Sequence, residues 1–275
     1  DASATAVFGV KGANGVILIT TKRGKEGKAQ VRASLNTVMK APSKLPGKLD
    51  SYDMFQVRIR ATEYELALRP TAWTSILPQE VISKYRFPAN LEEAERYPNV
   101  DWVNTLFRDN AMSYNANLNI AGGTSFVKYF SSVDYLTEGD LFRQFENNRG
   151  YDNGYGFKRL NVRSNLDFQL TPSTVFRANI YGSRGLTNRP WIGVNPYNTW
   201  TAAYSAPSNV YLPRYSDGTW GYYQPSEQSA LNSAQLVSTT GNQKITTSRI
   251  TTDFVLDQNL GAIIKGLNLK GTVSL

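Results

Sequence analysis

The side chains that most often carry out enzyme chemistry are missing from this chain. It contains no histidine and no cysteine, so the commonest general base, the commonest metal ligand and the reactive thiolate are all absent. Ser-His-Asp triads, Cys-His dyads and zinc sites built on these residues are therefore excluded. Aspartate, glutamate and lysine chemistry stays open, but no pair of carboxylates has an identifiable catalytic spacing. We predict no catalytic residue, no cofactor, no metal ligand and no enzyme activity.

A glycine-rich stretch near the start is the second pattern that could do chemistry. Gly9, Gly12 and Gly15 lie close together and allow tight turns and close backbone approach. A phosphate-binding loop would continue into Gly-Lys-Ser/Thr, and a dinucleotide-binding loop would continue into a helix. Here an apolar segment follows instead, residues 16–21, which predicts a buried strand. Nucleotide binding is therefore discarded.

Aromatic side chains are a third possible source of binding chemistry. Their faces stack on sugar rings, and tyrosine hydroxyls add hydrogen bonds. The candidates for contacts with a ligand or a partner protein are Trp73, Trp191, Trp200, Tyr204, Trp220, Tyr222 and Tyr223. The alternative for each is packing within its own loop or a place in an interfacial belt. For any single residue we favour that alternative.

The formal net charge of +8 raises the question of nucleic-acid binding. Such binding would require a basic cluster on one element, with aromatic residues between the charges. Lysine and arginine are instead spread along the chain, and scattered surface charge is the simpler interpretation. We therefore predict no nucleic-acid partner.

The elements that must position these residues are predicted from alternating apolar and polar positions, the period of a strand with two different faces. Residues 157–170 show it clearly. One face would carry Leu160, Val162, Leu166 and Phe168, and the opposite face Arg159, Arg163 and Asp167. The same alternation predicts seven strands, at residues 29–39, 112–120, 127–137, 157–170, 174–183, 249–257 and 267–275.

The connections between these strands alternate in length. Long connections occupy residues 40–111, 138–156 and 185–242, and short ones lie between them. At one short connection Gly122 and Gly123 are expected to supply the positive φ angles of a tight hairpin turn. Barrels of the bacterial outer membrane have short periplasmic turns, long extracellular loops and strands that alternate apolar-out with polar-in. The pattern therefore predicts an all-β membrane protein, with Leu160 facing lipid and Arg159, Arg163 and Asp167 facing the lumen.

The start of the chain is the segment that resembles a known family. Residues 14–22 read NGVILITTK, preceded by Ala4-Thr5-Ala6 and followed by Arg23-Gly24. This stretch resembles the end of the plug domain of SusC/RagA-like, TonB-linked outer-membrane proteins. The motif residues are Gly9, Gly12, Asn14, Gly15, Thr20, Lys22 and Arg23. The resemblance continues at Asp101-Trp102, at 117–123 (NLNIAGG), at 128–135 (KYFSSVDY) and at 159–168 (RLNVRSNLDF).

The resemblance implies a fold and a domain organisation. Members form a large antiparallel transmembrane β-barrel, about 22 strands when complete, around an N-terminal plug. Residues 1–27 would be the C-terminal end of that plug, and residues 28–275 the first seven or so barrel strands. Arg159 and Arg163 would line a polar path or pair with the plug and hold it in place. The chain is expected to be part of a polypeptide several times longer, because seven strands leave open edges that hydrocarbon does not tolerate.

The resemblance also implies a function and partners. Members import oligosaccharides or peptides across the bacterial outer membrane, and TonB of the inner-membrane energy system pulls on a segment expected before Asp1. A SusD-like surface lipoprotein caps the barrel, and outer-membrane lipid surrounds it. One alternative is a TonB-dependent siderophore or cobalamin receptor without the lipoprotein cap. A second is a soluble β-sandwich binding module, and a third a barrel enzyme that uses aspartate or glutamate.

Overall fold

The computed structural model describes residues 21–45, 47–191, 206–222 and 232–275. The main element is one antiparallel sheet of seven strands that pair with their neighbours in chain order. The strands are β1 Gly27–Lys40, β2 Ala111–Gly123, β3 Val127–Glu138, β4 Gly156–Thr171, β5 Thr174–Pro190, β6 Asn242–Asn259 and β7 Asn268–Ser274. All seven predicted strands are present, and each is antiparallel to the next strand along the chain.

Several strands are longer than their sequence pattern predicts. The pairing of β5 with β6 continues to the end of β5, where Pro190 lies opposite Asn242. The predicted strands had ended at residue 183 and begun at residue 249, where the apolar alternation stops. The difference arises because ladder hydrogen bonds join backbone groups whatever the side chains are. The strands therefore extend beyond the region in which one face is apolar.

The sheet has one apolar and one polar face, and the apolar face is the more exposed. Directly paired residues of an antiparallel sheet share a face, and the register places Leu118 beside Val133 and Val133 beside Val162. These side chains are 51%, 42% and 44% exposed. On the opposite face Asn165 is only 3% exposed. A water-soluble domain buries its apolar side chains, so this arrangement is the reverse of a soluble one.

The glycine pair between β2 and β3 has a different role from the predicted one. Gly122 and Gly123 belong to β2 and are not among the residues with positive φ angles, so the prediction that they form the turn is wrong. The turn is made by Thr124, whose hydroxyl accepts hydrogen bonds from the backbone N–H groups of Phe126 and Val127, at 3.2 Å each. A Cβ on Gly122 would lie 2.8 Å from the Tyr129 hydroxyl. Close packing therefore explains that glycine.

Helices lie in the long connections. They are α1 Ser51–Glu65, a 3-10 helix Pro70–Ser75, α2 Gln79–Lys84, α3 Leu91–Arg96, α4 Trp102–Leu106 and α5 Ser233–Thr239. The Asp101 side chain caps α4 by accepting a hydrogen bond from the Asn104 backbone N–H at 3.0 Å, as its position before the helix predicts. Within the described residues, no helix is both long enough and apolar enough to cross a membrane.

Candidate functional site

The three long connections pack together at one end of the sheet, and we call this cluster the loop unit. Its shared core contains Trp102 from the first connection, Phe142 from the second, and Tyr211 and Ala234 from the third. The Trp102 and Tyr211 rings meet edge to face with centroids 5.5 Å apart. The Trp102 indole donates a hydrogen bond to the Pro207 carbonyl at 3.0 Å. The connections thus form one folded body with its own apolar core.

Burial in this core changes the acidity of one side chain strongly. Tyr211 is completely buried, and burial raises the pKa of its hydroxyl to about 12, because the charged form is poorly solvated there. Sequence patterns did not reveal Tyr211 or Phe142 as core residues. In the sequence, Trp102 stands out only as part of the family resemblance. Their contacts join segments far apart in the chain, which local periodicity does not record.

Four of the predicted aromatic contacts, Trp73, Trp191, Trp220 and Tyr222, lie in the described part of this loop unit. Trp73 is 64% exposed, Tyr222 56% and Trp191 45%. Trp220 is half-buried, with the Arg214 guanidinium 4.3 Å from its ring centroid and Phe145 packed edge-on. The remaining predicted contacts, Trp200, Tyr204 and Tyr223, lie outside the described residues. Of the four described candidates, three are therefore exposed, and Trp220 packs into the loop unit.

The first connection also carries exposed apolar side chains that are not among the predicted contacts. Tyr64 is 84% exposed, Leu68 85%, Phe87 72% and Leu91 64%. They lie on or just after α1, α2 and α3, the helices on either side of the 3-10 helix that contains Trp73. Exposed apolar groups mark an interaction site where they form one contiguous patch. Their signal in the sequence was only their apolar character within a long connection.

The predicted lumen residues Arg159, Arg163 and Asp167 share the polar face of β4. The Arg163 guanidinium lies over the Tyr181 ring of β5, 5.1 Å from the centroid. Asp167 lies opposite Lys128 on one side and Arg177 on the other. Arg159 keeps a buried Nε that has no hydrogen-bond partner among the described atoms. Whether this face lines a lumen stays a prediction.

Charges of alternating sign cross the polar face at the end where the short turns lie. Lys128, Asp167, Arg177, Asp257 and Lys270 follow one another over five strands, β3 to β7. Asp167 and Arg177 approach to 3.9 Å, and Arg177 also pairs with Asp257. Each carboxylate in the row therefore has a cation on both sides. Such a row favours a fixed relative position of the strands.

The segment that precedes β1 lies on this same polar face. Arg23 forms an ion pair with Asp167 and donates to the Asn179 side chain at 3.1 Å. The Asn165 amide donates to the Lys22 carbonyl at 2.8 Å. The motif residues Lys22 and Arg23 are thus in contact with strands β4 and β5. The other motif residues, Gly9, Gly12, Asn14, Gly15 and Thr20, lie outside the described residues.

A basic cleft of about 640 Å³ opens between this segment and the first two strands. Its cations are Lys22, Arg23, Lys25, Lys28 and Arg32, and Glu26 is the acidic residue of the described lining. The cleft concentrates positive charge beside the carboxylate of Asp167. Among the described residues there is no group of three or more metal-ligating side chains.

The chain is similar to curated TonB-dependent receptors. It is 33% identical over 184 residues to TonB-dependent receptor P26 of Formosa agariphila, which covers 65% of this chain and 16% of the relative. It is 31% identical over 150 residues to TonB-dependent receptor SusC of Bacteroides thetaiotaomicron, which covers 53% of this chain and 12% of the relative. This chain is similar in sequence to TonB-dependent receptors, SusC among them. The family resemblance drawn from the motif is confirmed, although no protein-family model matches.

Solved structures show that the SusC-type likeness extends to the fold. The whole chain superposes on 31% of a chain in the RagAB peptide transporter, with a TM-score of 0.65 and 18% identity. The open-open state of the RagAB peptide importer gives a TM-score of 0.66 over 30% of that chain. The predicted fold class, a section of a large antiparallel β-barrel, is thereby confirmed, and the described strands form one sheet instead of the two sheets of a β-sandwich. This chain spans only about a sixth or less of the length of the curated receptors it matches.

Proposed function

We propose that this chain is part of an outer-membrane protein that imports a nutrient with energy supplied through TonB. The feature that carries the proposal is the arrangement of the sheet. Its exposed face is apolar, and its polar face holds the segment that resembles the end of a plug. An aqueous path bounded by a plug requires a wall of this kind, with its apolar side toward lipid.

In this proposal the long connections face the cell exterior. Residues 1–27 are the C-terminal end of the plug domain, and residues 28–275 form part of the barrel wall and its loops. Arg159, Arg163 and Asp167 line the lumen, and the exposed aromatics Trp73, Trp191 and Tyr222 contact cargo or a partner. The cargo is an oligosaccharide or a peptide, the two classes that the family resemblance implies, and a structural neighbour of this chain is named a peptide transporter. A SusD-like surface lipoprotein is the proposed partner on the loop unit.

Uptake measurements test the proposal. Cells with and without the gene are compared for import of labelled peptide mixtures and of labelled oligosaccharides, each in the presence and absence of TonB. We expect import that requires both the gene and TonB. Equal import in all strains would contradict the proposal.

Purification of the native protein in mild detergent tests the partner. A surface lipoprotein that co-purifies in equal amount supports the SusC-type interpretation. Isolation without a lipoprotein, together with binding of iron–siderophore or cobalamin, would favour the alternative receptor class instead.

A further inference from the structure

The segment that precedes β1 crosses the sheet. β1 forms one end of the strand order, yet residues 21–23 contact β4 and β5, three and four strands away. The chain then returns to enter β1 at Gly27, whose φ angle is +135°. Residues 21–24 are therefore held by a wall far from the strand that they lead into. We call residues 21–24 the crossing segment.

The crossing segment passes very close to the backbone of the sheet. A Cβ on Gly24 would collide with the backbone N and O of Tyr129 in β3 and would lie 2.7 Å from the Gly122 carbonyl oxygen in β2. These are backbone atoms, so a side chain there could not be accommodated by a change of rotamer. Glycine at position 24 thus permits direct backbone-to-sheet contact.

Two side chains of β4 fasten the crossing segment. Asn165 is 3% exposed, and its amide nitrogen donates to the Lys22 carbonyl at 2.8 Å. The Asp167 side chain is 17% exposed and pairs with Arg23. Charge-assisted contacts of this kind are stronger than neutral ones. The low exposure of Asp167 also reduces the screening of the pair by salt.

The anchoring carboxylate is itself held in place. Arg177 of β5 approaches Asp167 to 3.9 Å from the side opposite Lys128. Arg177 is tied in turn to Asp257 of β6. Asp167 therefore belongs to a row of alternating charges over five of the seven strands, and a force on Arg23 is spread over several strands.

We propose that Asp167 and Asn165 are positioning residues that fix the crossing segment to the barrel wall, so that it stays in place while the plug moves during transport. The inference rests on the proposed function, because it needs a plug that moves. When TonB pulls on the plug from its N-terminal side, a fixed crossing segment holds the other end of the plug in place, so the pull rearranges the plug residues between these two ends. If the crossing segment were not fixed, the pull would move it along the barrel wall and leave those residues unchanged.

The first test measures attachment in the resting protein and does not depend on transport. Since this chain has no cysteine, Lys25→Cys gives a unique nitroxide site in it, next to the crossing segment. Electron paramagnetic resonance of the intact protein in detergent reports the fraction of mobile label. In the double variant Asp167→Asn with Asn165→Ala we expect that fraction to rise about tenfold, as two hydrogen-bonded contacts are lost. Asp167→Glu should keep the label immobile.

The matched control is Asp134→Asn. Asp134 lies on the polar face of the neighbouring strand and accepts a hydrogen bond from Asn161 at 3.0 Å, without contact to the crossing segment. Equal label mobility in this control and in the double variant would overturn the proposal. So would a mobile label in Asp167→Glu. Thermal melting followed by circular dichroism checks that each variant is folded.

The second test measures uptake in cells. Loosening the crossing segment should lower the maximal uptake rate by up to about tenfold. The half-saturating cargo concentration should stay unchanged, because the anchor lies at the opposite end of the sheet from the loop unit. An unchanged maximal rate in a variant with a mobile label would overturn the anchor role. If the unmodified protein imports no cargo, the proposed function fails, while the resonance result still decides the attachment.

Discussion

At the scale of single residues, Asp140 shows how the loop unit joins the sheet. One of its carboxylate oxygens accepts a hydrogen bond from the Leu141 backbone N–H at 2.7 Å. The other oxygen is buried and has no hydrogen-bond partner among the described atoms. Burial raises the pKa of this carboxyl group above its ordinary value, while the backbone hydrogen bonds and the nearby Arg108 and Lys40 act in the opposite direction. Ionisation of the Asp140 carboxyl group therefore lowers the stability of the folded state.

The sign of the shift gives a prediction for pH. A folded-state pKa above the unfolded value means that the folded protein binds the proton more tightly, so the stability from Asp140 is present in acid and lost as pH rises through the raised pKa. Asp140→Asn keeps the acceptor for Leu141 and removes the charge. We expect it to stabilise the loop unit at neutral pH by about 1 kcal/mol and to make no difference in acid, well below the ordinary pKa of an aspartate. Resistance of the loops to proteolysis, measured at both pH values, checks this.

The outcome that would contradict this account is equal protease resistance of Asp140→Asn and the unmodified protein at neutral pH. Asp109→Asn is a suitable control, because Asp109 lies nearby at the same end of the sheet and is exposed. Its substitution should leave the pH dependence unchanged.

At the scale of elements, the two faces of a single strand differ in what they tolerate. In β2, Leu118 lies on the exposed apolar face and Asn117 on the polar face, opposite Asp134. An arginine facing lipid at the bilayer midplane costs about 2–4 kcal/mol, whereas an arginine beside Asp134 gains a counter-charge. We expect Leu118→Arg to reduce assembled protein in the outer membrane several-fold and Asn117→Arg to reduce it little. Quantification of folded protein in membrane fractions compares this matched pair.

The reverse order of severity would mean that the apolar face contacts protein or water instead of lipid. A side-by-side measurement of Leu118→Asn separates charge from loss of apolar area. This milder variant should fall between the two arginine variants.

The strands were predictable from the sequence because each carries its signal locally. A period of two over residues such as 160–168 predicts both that the segment is a strand and which side chains share a face. The short turns predict that neighbouring strands pair in chain order. The far ends of β5 and β6 were missed, since Thr187, Asn188 and Lys244 lack the apolar alternation although their backbones pair. The role of Gly122 was missed for another reason. Its constraint is contact with Tyr129 and Ala29, which only the folded sheet brings together.

The candidate site was predictable in part for the same reason. The common face of Arg159, Arg163 and Asp167 follows from their spacing. The ion pair of Arg23 with Asp167 joins residues 144 positions apart, and no local pattern contains it. The loop unit likewise unites Trp102, Phe142 and Tyr211 from three connections. The aromatic residues of these connections predicted contacts with a ligand or partner. The sequence did not distinguish Trp220, which packs against Phe145 and Arg214, from Tyr222, which is exposed.

At the scale of the whole molecule, the described residues form two bodies with different sources of stability. The sheet has little buried apolar area of its own and depends on its continuous ladder and on its surroundings. The loop unit has a compact core of aromatic and aliphatic side chains. Because none of the residues of this core belongs to a strand, damage to the loop core should leave the sheet assembled. A receptor built in this way can vary its outer loops without altering its wall.

Trp102→Ala tests this division. Trp102 is completely buried, and truncation of a buried tryptophan costs about 3–5 kcal/mol, enough to unfold a small loop body. We expect protease cleavage within residues 41–110 and 206–222 and loss of bound lipoprotein or cargo, while the strands keep their thermal transition in the membrane. Trp73→Ala, at a side chain 64% exposed, should change stability by less than about 0.5 kcal/mol and leave the loops protected. If Trp102→Ala instead prevents assembly of the sheet, the loop unit and the wall fold as a single body, and the independence argued from their separate cores is wrong.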